Sequence, residues 1–170
     1  MILTIAKLPE QTRPWMLLLF STLALLATAL YFQYGMGLEP CIMCIYQRTA
    51  VLGVALSALL VSIYNSSITR LIGFSGWGIS AIWGLLIAIE HVDIQTAANP
   101  FFVTCEIVPN FPVPLHEWFP AFFEAAGDCG NIDWSFLGFS MPQWMIVIFA
   151  VYSLSFVIVF GARLLNKRKV

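Results

Sequence analysis

Between Trp15 and Tyr34 the chain runs for 20 residues without a charge. As a helix such a stretch is about 30 Å long, the thickness of a bilayer's hydrocarbon core. Three more apolar runs follow at 44–64, 71–89 and 141–164, with Arg48 and Arg163 as their only charges. A backbone crossing lipid must satisfy its own polar groups, and uninterrupted runs of this length do so as helices. The remaining composition agrees: 60% of the residues are hydrophobic and 10% charged, against about 25% charged in soluble domains. The expected fold is therefore all-α, a polytopic bundle of four transmembrane helices forming one integral membrane domain over residues 1–170, in contact with membrane lipid. Ala27-Thr28-Ala29 has the form of a signal-peptide cleavage triplet. The apolar run continues past it, so the first span is expected to be retained.

Charge sets the orientation. Lys7, Arg13, Arg70, Arg163, Lys167, Arg168 and Lys169 fall at the two ends and in the second connection, leaving Arg48 alone among the basic residues elsewhere. By the positive-inside rule both termini are cytoplasmic, and the connections 35–43 and 90–140 lie on the other side. The net charge of -1 offers nucleic acid no basic surface. The 90–140 connection is long enough to expect a function. Within it Leu115, Trp118, Phe119, Phe122 and Ala126 keep helical spacing, which predicts a short helix lying in the membrane interface.

All four cysteines, Cys41, Cys44, Cys105 and Cys129, belong to that outward side, where disulfides persist. Cys41, Cys44 and Arg48 stand at i, i+3 and i+7, on one face of a helix that Pro40 suits as a first-turn residue. A helix N-terminus and a nearby guanidinium both favour thiolate over thiol, so this pair is built to react. Zinc would need two more ligands at short spacing, but Cys105 and Cys129 are 24 positions apart, so no metal is assigned. Two inert bridges are the other reading. Against them, a Cys-x-x-Cys bridge closes too small a loop to constrain the chain much, and an arginine that stabilises a thiolate is wasted on a permanent bond. Arg48 could otherwise snorkel to the headgroups, but its register with both cysteines favours a role in the site.

Pro40-Cys41-Ile42-Met43-Cys44 with Arg48, four spans, a second cysteine pair in the long loop, Gly127-Asp128-Cys129 and Met141-Pro142-Gln143-Trp144 together resemble the bacterial disulfide bond formation protein B (DsbB) family over nearly the whole chain. The resemblance implies a thiol oxidoreductase of the bacterial inner membrane. It would reoxidise a periplasmic thioredoxin-like oxidase of the DsbA type and pass the electrons to ubiquinone or menaquinone, with all four cysteines periplasmic. DsbA, DsbB and quinone are the known system that keeps the periplasm oxidising. Position by position, Cys105 resembles the cysteine attacked by the partner, and Cys129 the one released to attack Cys41. Cys44 resembles the thiolate that engages the quinone, Arg48 the residue that binds a quinone oxygen, and His91 a histidine near the quinone. Glu90 and Gln47 could tune the site. Two departures stand out: position 47 is Gln where the family often has an acid, and the interval between the loop cysteines is slightly short.

Alternatives are a paralogue serving one dedicated partner, a relative resembling vitamin K epoxide reductase, a membrane protein with structural disulfides, and a metal-binding or transport protein. The second fits less well because Cys-x-x-Cys here opens the second span. A metal or solute transporter would carry polar groups deep in several spans, and apart from Arg48 these spans do not.

Overall fold

The computed structural model describes residues 7–97, 111 and 114–167. Four helices are long and apolar enough to cross a membrane. Helix α1 is Thr12–Leu30, entered through a single 3-10 turn at Leu8–Glu10 and continued by a π-helical turn at Tyr31–Gly35. Helices α2 (Ile42–Ile63), α3 (Ser67–Thr96) and α6 (Met141–Lys167) complete the set. Helix α2 packs between α1 and α3, and α6 packs on α3. The Tyr152 hydroxyl on α6 reaches Ser21 Oγ on α1 at 2.9 Å and closes the ring.

Helix starts follow from local chemistry. Ser66 caps α3 with a reciprocal box: its Oγ accepts from the Thr69 N–H at 3.2 Å, and its own N–H donates to Thr69 Oγ1 at 2.9 Å. At α2 the cap is Cys41, whose extended backbone (φ -77°, ψ 170°) brings Sγ to 3.3 Å from the Cys44 N–H. Pro40 therefore lies one residue before the cap rather than in the first turn. Its carbonyl is left to accept from the Ala126 and Gly127 N–H groups at 3.0 and 3.1 Å.

Helix α3 runs well beyond the apolar stretch 71–89, at both ends. Glu90, His91 and Asp93 end the hydropathy but not the helix, because no proline or glycine follows until Pro100. About 1.5 Å of rise per residue carries His91 and Gln95 above the apolar run.

The core near the N-terminal end of α1 is aromatic. Trp15 meets Phe74 edge-on at 5.4 Å and Trp77 at 5.9 Å, and its Nε1 donates to the Pro9 carbonyl at 3.0 Å. Small residues on α3 admit its neighbours. Gly76 lies against Ser57 of α2, Gly53 of α2 against Ser80, and Gly84 against the fully buried ring of Phe149 on α6, so a Cβ at any of the three would collide. Large apolar side chains such as Leu17, Ile63, Ile79 and Leu154 cover the outer surface of the bundle.

The outer segment forms a cap over the ends of α2 and α3. The short helix expected around 115–126 occurs as two single turns, α4 (Leu115–Trp118) and α5 (Pro120–Phe123), broken at Phe119. Pro120 has no N–H to continue the first turn and begins the second instead. A two-residue hairpin, β1 (Ser135–Phe136) and β2 (Phe139–Ser140), turns through Leu137 and Gly138, both at positive φ (53° and 82°), and leads into α6. Its turn geometry fits the right-handed twist of the strands and suits Gly138. The cap is tied down by Tyr34 Oη donating to the Ala121 carbonyl at 2.6 Å, Gln95 Nε2 to the Asn131 carbonyl at 3.1 Å and Ser140 Oγ to Gln95 Oε1 at 2.9 Å.

Candidate active site

The first turns of α2 present Cys41, Cys44, Gln47 and Arg48 toward the cap, as a helix must when residues recur three and four apart. Cys41 Sγ lies 2.9 Å from Cys44 Sγ, both as thiols. Cys129 is completely buried in the same small cluster as Cys41 and Ile42. The docking of Ala126 and Gly127 on the Pro40 carbonyl puts it there, and Gly127 abuts the Glu39 carbonyl so closely that no side chain would fit. Hydrogen bonding with Cys129, then with Cys44, and then burial push the Cys41 thiol well above the ordinary cysteine range.

Arg48 is only 5% exposed. Its Nη1 donates to Gln33 Oε1 and to the Phe122 carbonyl, both at 2.9 Å, and its Cζ sits 5.2 Å from the centre of the Phe122 ring. The guanidinium is therefore held from the π turn after α1 and from α5 at once. Among the described residues its buried Nε has no hydrogen-bond partner. Its charge acts on Cys44.

His91, 2% exposed, comes in from α3. Its Nε2 is 3.6 Å from Cys41 Sγ, its Nδ1 is 3.1 Å from Gln47 Nε2, and the ring also hydrogen-bonds the backbone of Cys129. Cys41, Cys44 and His91 bring three potential metal ligands within 4.8 Å of one another. A ligating imidazole ordinarily gives its second ring N–H to an acceptor. Here Nδ1 faces an amide nitrogen, and the Arg48 cation stands nearby, so the surroundings of the trio do not suit a metal ion.

Beside these groups opens a cavity of about 290 Å³. One wall carries Cys44, Gln47, Arg48 and His91, the mouth carries polar groups such as Glu39, Asp128 and Asp133, and most of the remaining surface is apolar and comes from α1 and α6, as at Ala29, Met145 and Ile148. Trp134 and Trp144 also line it. This is the composition expected of a small-molecule site, largely apolar with a few convergent polar groups. Of the residues singled out in the sequence, Cys41, Cys44, Cys129, Arg48 and His91 converge here, while Cys105 lies outside the described residues.

The chain matches the family model described as Disulfide bond formation protein DsbB over residues 11–159. The chain belongs to the DsbB family. It is 57% identical to Disulfide bond formation protein B of Pseudoalteromonas atlantica, over 98% of each chain. The relative from Pseudoalteromonas translucida is 51% identical, over 96% of this chain and 97% of that one. The one from Psychromonas ingrahamii is 50% identical, over 99% and 92%. As a DsbB family member the protein is a disulfide-forming oxidoreductase carried by a four-helix polytopic membrane bundle.

Three site contacts in this DsbB family chain escape a reading of the sequence. Gln33 is a polar residue near the end of an otherwise apolar run, and that was the available signal. The Phe122 carbonyl gave none, because an acceptor on the backbone leaves no mark on residue identity. Gln47 was visible in the motif, but its partner, 44 positions away on α3, was not.

Proposed function

We propose that the protein reoxidises a soluble DsbA-type dithiol oxidase on the periplasmic side of the bacterial inner membrane and passes the two electrons to a membrane quinone. The observation that carries this reading is the cavity wall itself. A reactive sulfur, Cys44, sits beside a buried arginine whose Nε has no partner among the described residues, in a pocket whose surface is mostly apolar. An apolar ring bearing a carbonyl oxygen would fit these groups: the apolar surface would take the ring, and the Arg48 guanidinium would hold its oxygen.

A bound quinone supplies a two-electron, two-proton acceptor. The chain's own residues do the rest. A thiolate of the reduced partner attacks Cys105, and Cys129 leaves as a thiolate. Cys129 then attacks Cys41 of a Cys41–Cys44 bond, and Cys44 leaves as a thiolate stabilised by Arg48. The partner's second thiol displaces Cys105, which attacks Cys129 and frees Cys41. Cys41 and Cys44 give up two electrons and two protons and rejoin, so one partner dithiol is consumed for each quinone reduced. Burial of Cys129 against Cys41 supports the exchange between them, since attack needs the sulfurs adjacent. DsbA-type partners have potentials near -120 mV, about the most oxidising among dithiol oxidases. Drawing electrons from one therefore needs a strongly oxidising acceptor.

The test is a thiol count. Fully reduced protein, kept free of oxygen and given increasing short-chain quinone, is expected to lose two thiols per quinone, with Cys41 and Cys44 found joined by mass spectrometry. Thiols that persist in excess quinone would refute the reading.

A further inference from the structure

The site has a direction, and the residue that sets it is Gln47. A side-chain amide nitrogen can only donate a hydrogen bond, so the Gln47 Nε2 contact with His91 Nδ1 at 3.1 Å requires that Nδ1 accept. A neutral imidazole carries one proton, which must then sit on Nε2. That nitrogen faces Cys41 Sγ at 3.6 Å, and Cys41 Sγ in turn faces Cys44 Sγ at 2.9 Å. We propose that Gln47 is a positioning residue that locks His91 in the Nε2–H tautomer, so that hydrogen bonds run one way, from Gln47 through His91 to the Cys41 sulfur that adjoins Cys44.

The imidazole N–H then faces Cys41, the sulfur that also meets Cys44 and Cys129, so negative charge on Cys41 Sγ is met by a donor. With Gln47 4% exposed and His91 2% exposed, water does not compete for Nδ1. The lock also tells against a metal, which would need a bare Nε2. An acceptor at position 47 would reverse the assignment by drawing the proton to Nδ1. The role of this chain in relay chemistry rests on the proposed function, but the tautomer itself does not.

The direct test is nitrogen NMR of His91 in the reduced, full-length protein with 15N-labelled histidine, in wild type, Gln47→Met and Gln47→Glu. Wild type is expected to show a protonated Nε2 and a bare Nδ1. Gln47→Met, similar in shape but without a donor, is expected to give a mixture of tautomers, and Gln47→Glu a protonated Nδ1. The potential of the Cys41–Cys44 couple should fall in Gln47→Met by about 20 mV. That corresponds to about a fivefold change in equilibrium constant for one neutral hydrogen bond to the reduced sulfurs, at about 30 mV per tenfold. A wild-type spectrum with the proton on Nδ1 overturns the proposal, as does a Gln47→Met spectrum and potential identical to wild type. Because the spectrum is read with or without turnover, a protein that ignores quinone yet shows the predicted tautomer would sink the functional reading alone.

Discussion

A Cys44→Ser protein is expected to leave quinone unreduced, with turnover down by at least about three orders of magnitude, the scale seen when a nucleophile is removed from a concerted site. A serine hydroxyl does not ionise near neutral pH and cannot form a disulfide, so both the leaving group of the exchange and the electron source at the cavity are lost. The fold should survive. The α2 cap uses the Cys44 backbone N–H and the Cys41 sulfur, neither of which the substitution touches, and oxygen is smaller than sulfur in a half-buried position. An unchanged unfolding temperature together with lost turnover would assign the defect to chemistry. Retention of more than about a tenth of the activity would mean that another sulfur faces the acceptor.

For Arg48→Ala the expected loss is about a hundredfold in kcat/KM for quinone, the usual cost of removing one preorganised donor from developing negative charge. Both kcat and KM should suffer, because the guanidinium serves the Cys44 sulfur and also lines the cavity. Stability should fall as well. Removing Nη1 takes the donor from the half-buried Gln33 amide oxygen and Phe122 carbonyl, and a lost hydrogen bond costs about 1 kcal/mol. Arg48→Lys separates the two effects: it restores a cation but not the planar guanidinium, whose Nη1 meets both acceptors while its other nitrogens stay beside the cavity wall. It should recover part of kcat and little of KM. A Lys variant equal to wild type in both would show that charge alone matters at this position.

The helices were legible because lipid forces the choice: an apolar run about as long as the bilayer is thick becomes a helix. Their ends were less legible. Hydropathy stops at Ile89, whereas the backbone stops only after Thr96, and those extra turns bring His91 level with Cys41. Likewise Pro40 read as a helical residue, because its φ suits a first turn. The competing use of Cys41 as cap, with the Pro40 carbonyl turned toward Ala126 and Gly127, depends on a segment more than 80 residues away. The hairpin at Ser135–Ser140 was missed because two-residue strands leave no alternation to read. Within the site, register on one helix was enough to group Cys41, Cys44 and Arg48. Contacts between elements were not recoverable that way: Gln33 with Arg48, Gln47 with His91, Cys129 with Cys41. Each is a pairing of residues whose identity shows only that a partner is wanted.

One assay tests electron transfer from partner to quinone most directly: purified protein, a catalytic amount, mixed with an excess of reduced DsbA-type partner and a short-chain quinone in the absence of oxygen, with quinone absorbance and partner thiols followed together. The prediction is that quinone disappears catalytically, one for each partner dithiol oxidised, at a rate proportional to the protein added. If partner and quinone both remain reduced and oxidised respectively over many hours, while the protein's own cysteines stay as they began, electrons do not pass from α2 to a quinone and the central claim is wrong.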